Sequence, residues 1–142
     1  MSLRFKNGVP VIVSPRICAF AKKVLGFSIG AVAIFPFIIV RDETIYANEE
    51  YINHESIHLR QYLETAIVGL LIIAPFEYLY ARFVLGRSRM QAYYYMAHEQ
   101  EAHQNDTNLD YLKTRKWFSY YRYLLPKNKK KFDLIDGKRV IF

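Results

Sequence analysis

The stretch NEEYINHESIHLRQYLE, Asn48 to Glu64, decides how this chain is read. Asn48 suits an N-cap, because its side-chain oxygen can accept from the free amides of a first helical turn. Glu49 and Glu50 then place carboxylates at the positive end of the helix dipole. The pattern predicts a helix starting at about residue 49 and running to around Gly69. On a helix, residues four apart lie one turn from each other on one face, so His54 and His58 can meet a single cation. Glu55, rotated by about 100°, can reach a water on that cation.

Catalytic zinc takes three protein ligands and keeps one position open. The two remaining histidines, His98 and His103, fall together in HEQEAH beside Glu99 and Glu101. Every histidine of the chain therefore lies in one of two short acidic clusters, and a third donor is available. Ser88 can cap a helix from about Arg89 to Asn105. On one continuous helix Tyr95, Glu99, Ala102 and His103 share a face, while Glu101 points about 200° away from Glu99. Glu99 is the expected third ligand to Zn2+, with Glu101 the other carboxylate that can serve. His103, one turn on, is expected to orient the site from behind or to replace a ligand. Gln61, one turn after His58, can orient a ligand or a bound peptide. The run Tyr93 to Tyr95 offers phenols for a developing oxyanion, and Tyr95, one turn before Glu99, is the one singled out.

Working outward, residues 9–13 (VPVIV) read as a strand, and Pro15 can open a short helix through about Lys23. Val24 to Val40 carries no charge, but Gly26, Gly30, Pro36 and the β-branched run Ile38 to Val40 favour one or two buried strands over a membrane span. A turn at Asp42 and Glu43 followed by a return strand around Thr44 to Ala47 completes an expected hairpin. The apolar run Ala66 to Phe76, stopped by Glu77, reads as a buried or bent helix continuing to Leu85, with its bend at Pro75. Asp106 or Asn108 can start another helix that holds Tyr111 to Leu125. The tail carries an Asp136-Gly137 turn signal between two short apolar segments, consistent with a small hairpin.

A length of 142 residues suits one domain, and 52% apolar residues exclude a disordered chain. The single cysteine, Cys18, excludes an internal disulfide and favours a reducing compartment. The net charge of +7 is local: residues 111–142 hold ten Lys/Arg against Asp133 and Asp136, whereas residues 1–110 are nearly balanced. No secretory signal is read at the amino terminus, where Gly8 and Pro10 interrupt any apolar run, and this points to the cytoplasm. The basic, aromatic segment RKWFSYYRYLLPKNKKKF offers a rival reading as a membrane-surface or nucleic-acid module. A helix packed on the core with a solvated basic face explains it more simply, and nucleic acid is the less favoured partner.

HESIH followed by Glu99 in E-x-x-A resembles the gluzincin zinc metallopeptidases, whose third ligand is a glutamate on a later helix, often with a small residue three positions on. The resemblance is closer to the small single-domain members. Their pattern is a buried strand ending in a Phe-Pro-Phe-Ile type segment, then HExIHxxQxxE, an aromatic-aliphatic helix, and an AY…E-x-E-A segment. Here these are Phe35 to Ile38, His54 to Glu64 including Gln61, Tyr78 to Phe83, and Ala92, Tyr93 and Glu99 to Ala102, within about residues 30–125. Many gluzincins have Asp one turn after the third ligand, where this chain has His103. The resemblance implies a minimal zincin-like domain over residues 1–142 with a basic tail at about 126–142. It also implies peptide or protein substrates, laid as extended chains along the strand Val32 to Ile39. The expected fold is α+β and predominantly helical, with a small sheet packed on the HExxH helix and on a later glutamate-bearing helix. The expected function is zinc-dependent peptide hydrolysis with Glu55 as general base. The alternative within the same site is a latent zinc-binding protein whose open position is covered, for instance by its own carboxy terminus.

Overall fold

The computed structural model describes residues 1–135 and 138–141. Four strands form one sheet: β1 (Ser2–Lys6), β2 (Val9–Val13), β3 (Ala31–Ile34) and β4 (Phe37–Val40), in the order β1-β2-β4-β3. β1 and β2 make a hairpin closed by Asn7 and Gly8, whose φ values of 53° and 79° are those a two-residue turn of this hand demands. From β2 the chain crosses through helix α1 (Pro15–Leu25) and returns as β3 and β4, so that β2 and β4 pair in parallel. α1 opens on Pro15 and stops at Gly26, which takes the left-handed conformation, φ 82°. β3 and β4 are antiparallel and joined through a cis Phe35–Pro36 bond.

The return strand expected at Thr44 to Ala47 is instead a short helix, α2 (Glu43–Ala47). Asp42 explains the difference: its carboxylate accepts from the Ile45 amide at 2.9 Å, so the residue read as a turn is a helix cap. The long helix α3 (Glu49–Glu64) begins where the sequence places it, with Asn48 Oδ1 accepting from the amides of Glu50 at 3.0 Å and Tyr51 at 3.4 Å. It ends short of Gly69. Ala66 and Ile67 both have positive φ, 50° and 66°, and the chain bends by 113° before α4 (Val68–Leu79). The bend expected at Pro75 therefore lies two to three helix turns earlier, and Pro75 sits inside α4. α4 runs on through a wider turn, Tyr80–Val84, with i to i+5 bonding.

The helix expected from Arg89 to Asn105 is two, α5 (Arg89–Tyr95) and α6 (Ala97–Asn105), broken at Met96 with ψ 137°. Ser88 caps α5 in a reciprocal capping box with Gln91, as its position suggests. α6 has a long-range cap: the Glu77 carboxylate of α4 accepts from the Ala97 amide at 3.0 Å. Nor is there one helix from Tyr111 to Leu125. α7 (Tyr111–Thr114) is followed by tight 3-10 turns at Ser119–Leu124 and Pro126–Asn128. The chain is drawn out of helix at Arg115, whose guanidinium is inserted between Glu64 and Glu101. β5 (Phe132–Ile135) and β6 (Lys138–Ile141) pair antiparallel, in line with the tail hairpin; its Asp136-Gly137 turn lies outside the described residues.

The molecule is thus α+β and mainly helical, with α3 held between β3 on one side and α6 on the other. Val11, Ala31, Ala33, Ile38 and Val40 of the sheet close on Ile45, Ile52 and Leu59 to form the apolar core. The apolar run read as a buried or bent helix follows a sharp bend but is not buried: Val68, Leu71, Ile72, Phe76 and Leu79 of α4 all face outward. Among the described residues no single helix is long and apolar enough to cross a membrane.

Candidate metal centre

α3 turns an unusual set of residues inward. Asn53, His54, Glu55, His58, Gln61 and Glu64 are all buried, at 0–8% exposure. Opposite them α6 presents Glu99 and Glu101, at 3% or less. The meeting of these two faces gathers all four histidines around one carboxylate. His54 Nε2 lies 3.5 Å and His103 Nε2 3.4 Å from Glu99 Oε2, and His58 Nε2 lies 3.4 Å and His98 Nε2 3.5 Å from Glu99 Oε1.

The partners behind the rings fix which nitrogen carries hydrogen. Gln61 uses its amide nitrogen to donate to the His98 carbonyl at 3.1 Å and to Glu101 at 2.8 Å, so its oxygen is what faces His58 Nδ1 at 2.8 Å. His58 must therefore donate from Nδ1, so that in the neutral ring the lone pair lies on Nε2. His54 Nδ1 faces the Asp106 carboxylate at 3.3 Å, and a carboxylate only accepts, so in the neutral ring His54 Nε2 is likewise the free nitrogen. The two Nε2 atoms are 3.1 Å apart, with Glu99 beside them. Two lone pairs and a carboxylate converging in a buried space require a cation between them, either a shared proton or a metal ion.

Two observations fit the metal ion. Bonds of about 2.0–2.2 Å at tetrahedral angles separate donor atoms by about 3.3–3.6 Å; the two Nε2 atoms are 3.1 Å apart, and each lies 3.4–3.5 Å from a different oxygen of the Glu99 carboxylate, His58 from Oε1 and His54 from Oε2. Charge-assisted hydrogen bonds would draw the same atoms in to about 2.7–2.9 Å. Moreover, Glu99 Oε2 and His103 Nε2 are buried without a hydrogen-bond partner. His54, His58 and Glu99 form a group close enough to hold a metal ion. A second group, His54, His103 and Asp106, shares an imidazole with it. There Arg139 of β6 already supplies a cation, with its guanidinium on Asp106 at 2.5 and 2.9 Å and in contact with His103 Nδ1.

The protein groups alone show how tightly charge is coupled here. Burial opposes a charged His54, but Asp106 and Glu99 outweigh it and push its pKa up to about 10. His98, where burial dominates, is pushed down to about 3. Burial also opposes a charged Glu99, yet His58, His103 and His54 together hold it well below the usual carboxylate range. Glu55 is raised, chiefly by burial, with the Ala33 amide of β3 partly stabilising its charge.

The remaining sequence-derived residues are placed as follows. Glu55 and His54 line a cavity of about 400 Å³ whose walls include Gly30, Tyr93, His103 and Arg139. Gln61 stands directly behind His58. Glu101 takes no part in the imidazole cluster: its oxygens accept from Gln61, Tyr111 at 2.8 Å and Arg115 at 2.6 Å. Tyr95 is turned away, because the break at Met96 removes it from the face of Glu99; its ring packs near Tyr80, with Lys129 Nζ 3.9 Å from its centroid. Tyr93 lines the cavity instead, with its phenol against Glu99. Two residues escaped the sequence reading. Asp106 lies seven positions after Glu99, two turns along the same helix face, and that spacing was the available signal. Arg139 had none, since only the fold of the tail brings it in.

Comparisons with protein-family models, with curated proteins and with solved structures return no significant match to this chain. The candidate metal site accordingly stands on the side chains themselves.

Proposed function

We propose that this protein is a zinc-dependent peptide hydrolase of gluzincin type. The observation that carries the proposal is the convergence of His54 Nε2, His58 Nε2 and the Glu99 carboxylate within 3.1–3.5 Å of one another, with Glu55, the residue after His54, on the wall of a cavity that His54 also lines. A zinc ion held there would polarise a carbonyl and lower the pKa of a bound water to about 7. Glu55 would take the proton of the attacking water and return it to the leaving amine. Tyr93 and His103 border the same space and can donate to the developing oxyanion. Asp106 and Gln61 hold the two imidazoles in the required tautomer, and β3, next to Glu55, offers backbone to an extended peptide.

The test is metal content on purified protein, wild type against His58→Ala, followed by digestion of a peptide library by wild type and Glu55→Gln. Zinc near one per chain, lost in His58→Ala, with cleavage lost in Glu55→Gln, supports the proposal. A protein that holds no divalent ion sinks it.

A second reading, a latent zinc protein, is favoured by one contact. Arg139 reaches the cavity from β6 and lies on Asp106 and His103. Arg139→Ala separates the two readings: a latent enzyme gains activity, whereas an open one does not.

A further inference from the structure

The outer face of α4 and its continuation inverts the usual helix pattern. Every exposed position from Val68 to Val84 is apolar or aromatic: Val68, Leu71, Ile72, Pro75, Phe76, Leu79, Tyr80, Phe83 and Val84. Their spacing of three and four makes one continuous stripe about 25 Å long. Phe76 and Phe83, two turns apart, are 71% and 77% exposed. The two charges in this stretch do not face out with the stripe. Glu77 is engaged by the Ala97 amide and by Lys129 at 2.9 Å, and Arg82 donates to the Arg87 carbonyl. A stripe of this size facing water implies a partner.

The surroundings define that partner. Arg115 on Glu64, and Trp117 beneath Arg60 at 5.9 Å, place residues 115–117 against the end of α3, where α4 departs. The segment that follows exposes Lys116, Trp117, Phe118, Tyr121, Arg122, Leu124, Leu125 and Lys127. Alternating aromatic rings and cations are the composition of a membrane–water boundary. Over residues 59–98 and 111–131 there are twelve Lys/Arg and two acidic residues, Glu64 and Glu77; Arg115 and Lys129 pair with these and Lys113 with Asp110, which leaves nine cations outside those pairs. A second copy docked through the same face would bring the same cations, with Glu64 and Glu77 already paired. An anionic lipid surface meets both the charge and the apolar stripe.

We infer that this protein docks on anionic membranes with α4 lying in the interface, its apolar stripe among the acyl chains and the 116–127 segment at the headgroups. Docking of this kind is independent of the metal centre.

The test uses the full chain, zinc added, with vesicles of phosphatidylcholine alone or mixed with phosphatidylglycerol. Trp117, the single tryptophan, is 61% exposed and reports directly. Flotation with the anionic vesicles and a blue shift of Trp117 emission are expected, with much weaker binding to phosphatidylcholine alone. Phe76→Ser with Phe83→Ser should weaken binding at least about tenfold. Removing Lys116, Arg122 and Lys127 should weaken it about fivefold per cation. His58→Ala should leave it unchanged, so that loss of metal binding and loss of docking are read separately. Absence of flotation, or a dimer in sedimentation velocity that Phe76→Ser dissociates, overturns the inference; in the latter case the stripe is a self-association surface.

Discussion

α3 and α4 adjoin at residues 65–67, and they are built on opposite plans. α3 buries histidines, carboxylates and two amides, while α4 turns leucine, isoleucine and phenylalanine to the outside. Either arrangement is unfavourable for a lone chain in water: buried polar groups lose hydration, and exposed apolar surface orders it. The chain compensates only part of the first. Arg115, Tyr111 and Gln61 satisfy Glu101 and Glu64, but Glu99 Oε2 and His103 Nε2 are left without partners. Nothing among the described residues covers the second. On the readings proposed above, the contrast has one explanation: each helix is complementary to something other than protein, a cation for α3 and an anionic bilayer for α4.

The comparison can be broken most severely at the reacting centre. Glu55→Gln should lower kcat by about 10²–10⁴ while zinc content stays at the wild-type level; peptide cleavage and metal analysis on one preparation check both. A variant that retained turnover would show that α3 buries its carboxylate for another reason.

Next comes the support beneath that centre. Arg115 and its two carboxylate partners are almost fully buried, so Arg115→Ala strands Glu64 and Glu101 and should cost about 3–5 kcal/mol in urea denaturation. A matched pair of truncations then measures the two helices against each other. Ile57→Ala, at a position with 0% exposure, should cost about 2–5 kcal/mol. Ile72→Ala, at 54% exposure, should change stability by less than about 0.5 kcal/mol. Equal costs would mean that the α4 face is covered in solution.

The smallest effect expected is on metal affinity. Gln61→Leu removes the acceptor behind His58 and should weaken zinc binding about 10–100-fold without abolishing it. Competition with a chelator reads the difference, and an unchanged affinity would remove Gln61 from the site.

Much of this was legible locally. Asn48 and Ser88 cap the helices they precede because a cap needs only a side-chain oxygen and the next two or three amides. His54, Glu55 and His58 follow from helical spacing alone. Other elements went unread because distant groups decide them. Met96 breaks the expected helix where Glu77, twenty residues away, caps the new one, and with that break Tyr95 exchanges its place for Tyr93. Asn7-Gly8 carried a hairpin signal that the strand-poor residues before it concealed.

The sequence by itself determined which residues could ligate and that they would sit on helices, because covalent spacing and capping act over a few residues. Only the tertiary structure decided which carboxylate faces the imidazoles. It set Glu99 among the histidines and gave Glu101 to Arg115, and it brought Asp106 and Arg139 to their edge. Only the tertiary structure, too, left the α4 stripe outside. Hydrophobicity favours burial but does not choose the partner, and here the chain's own core was already closed by the sheet and α3.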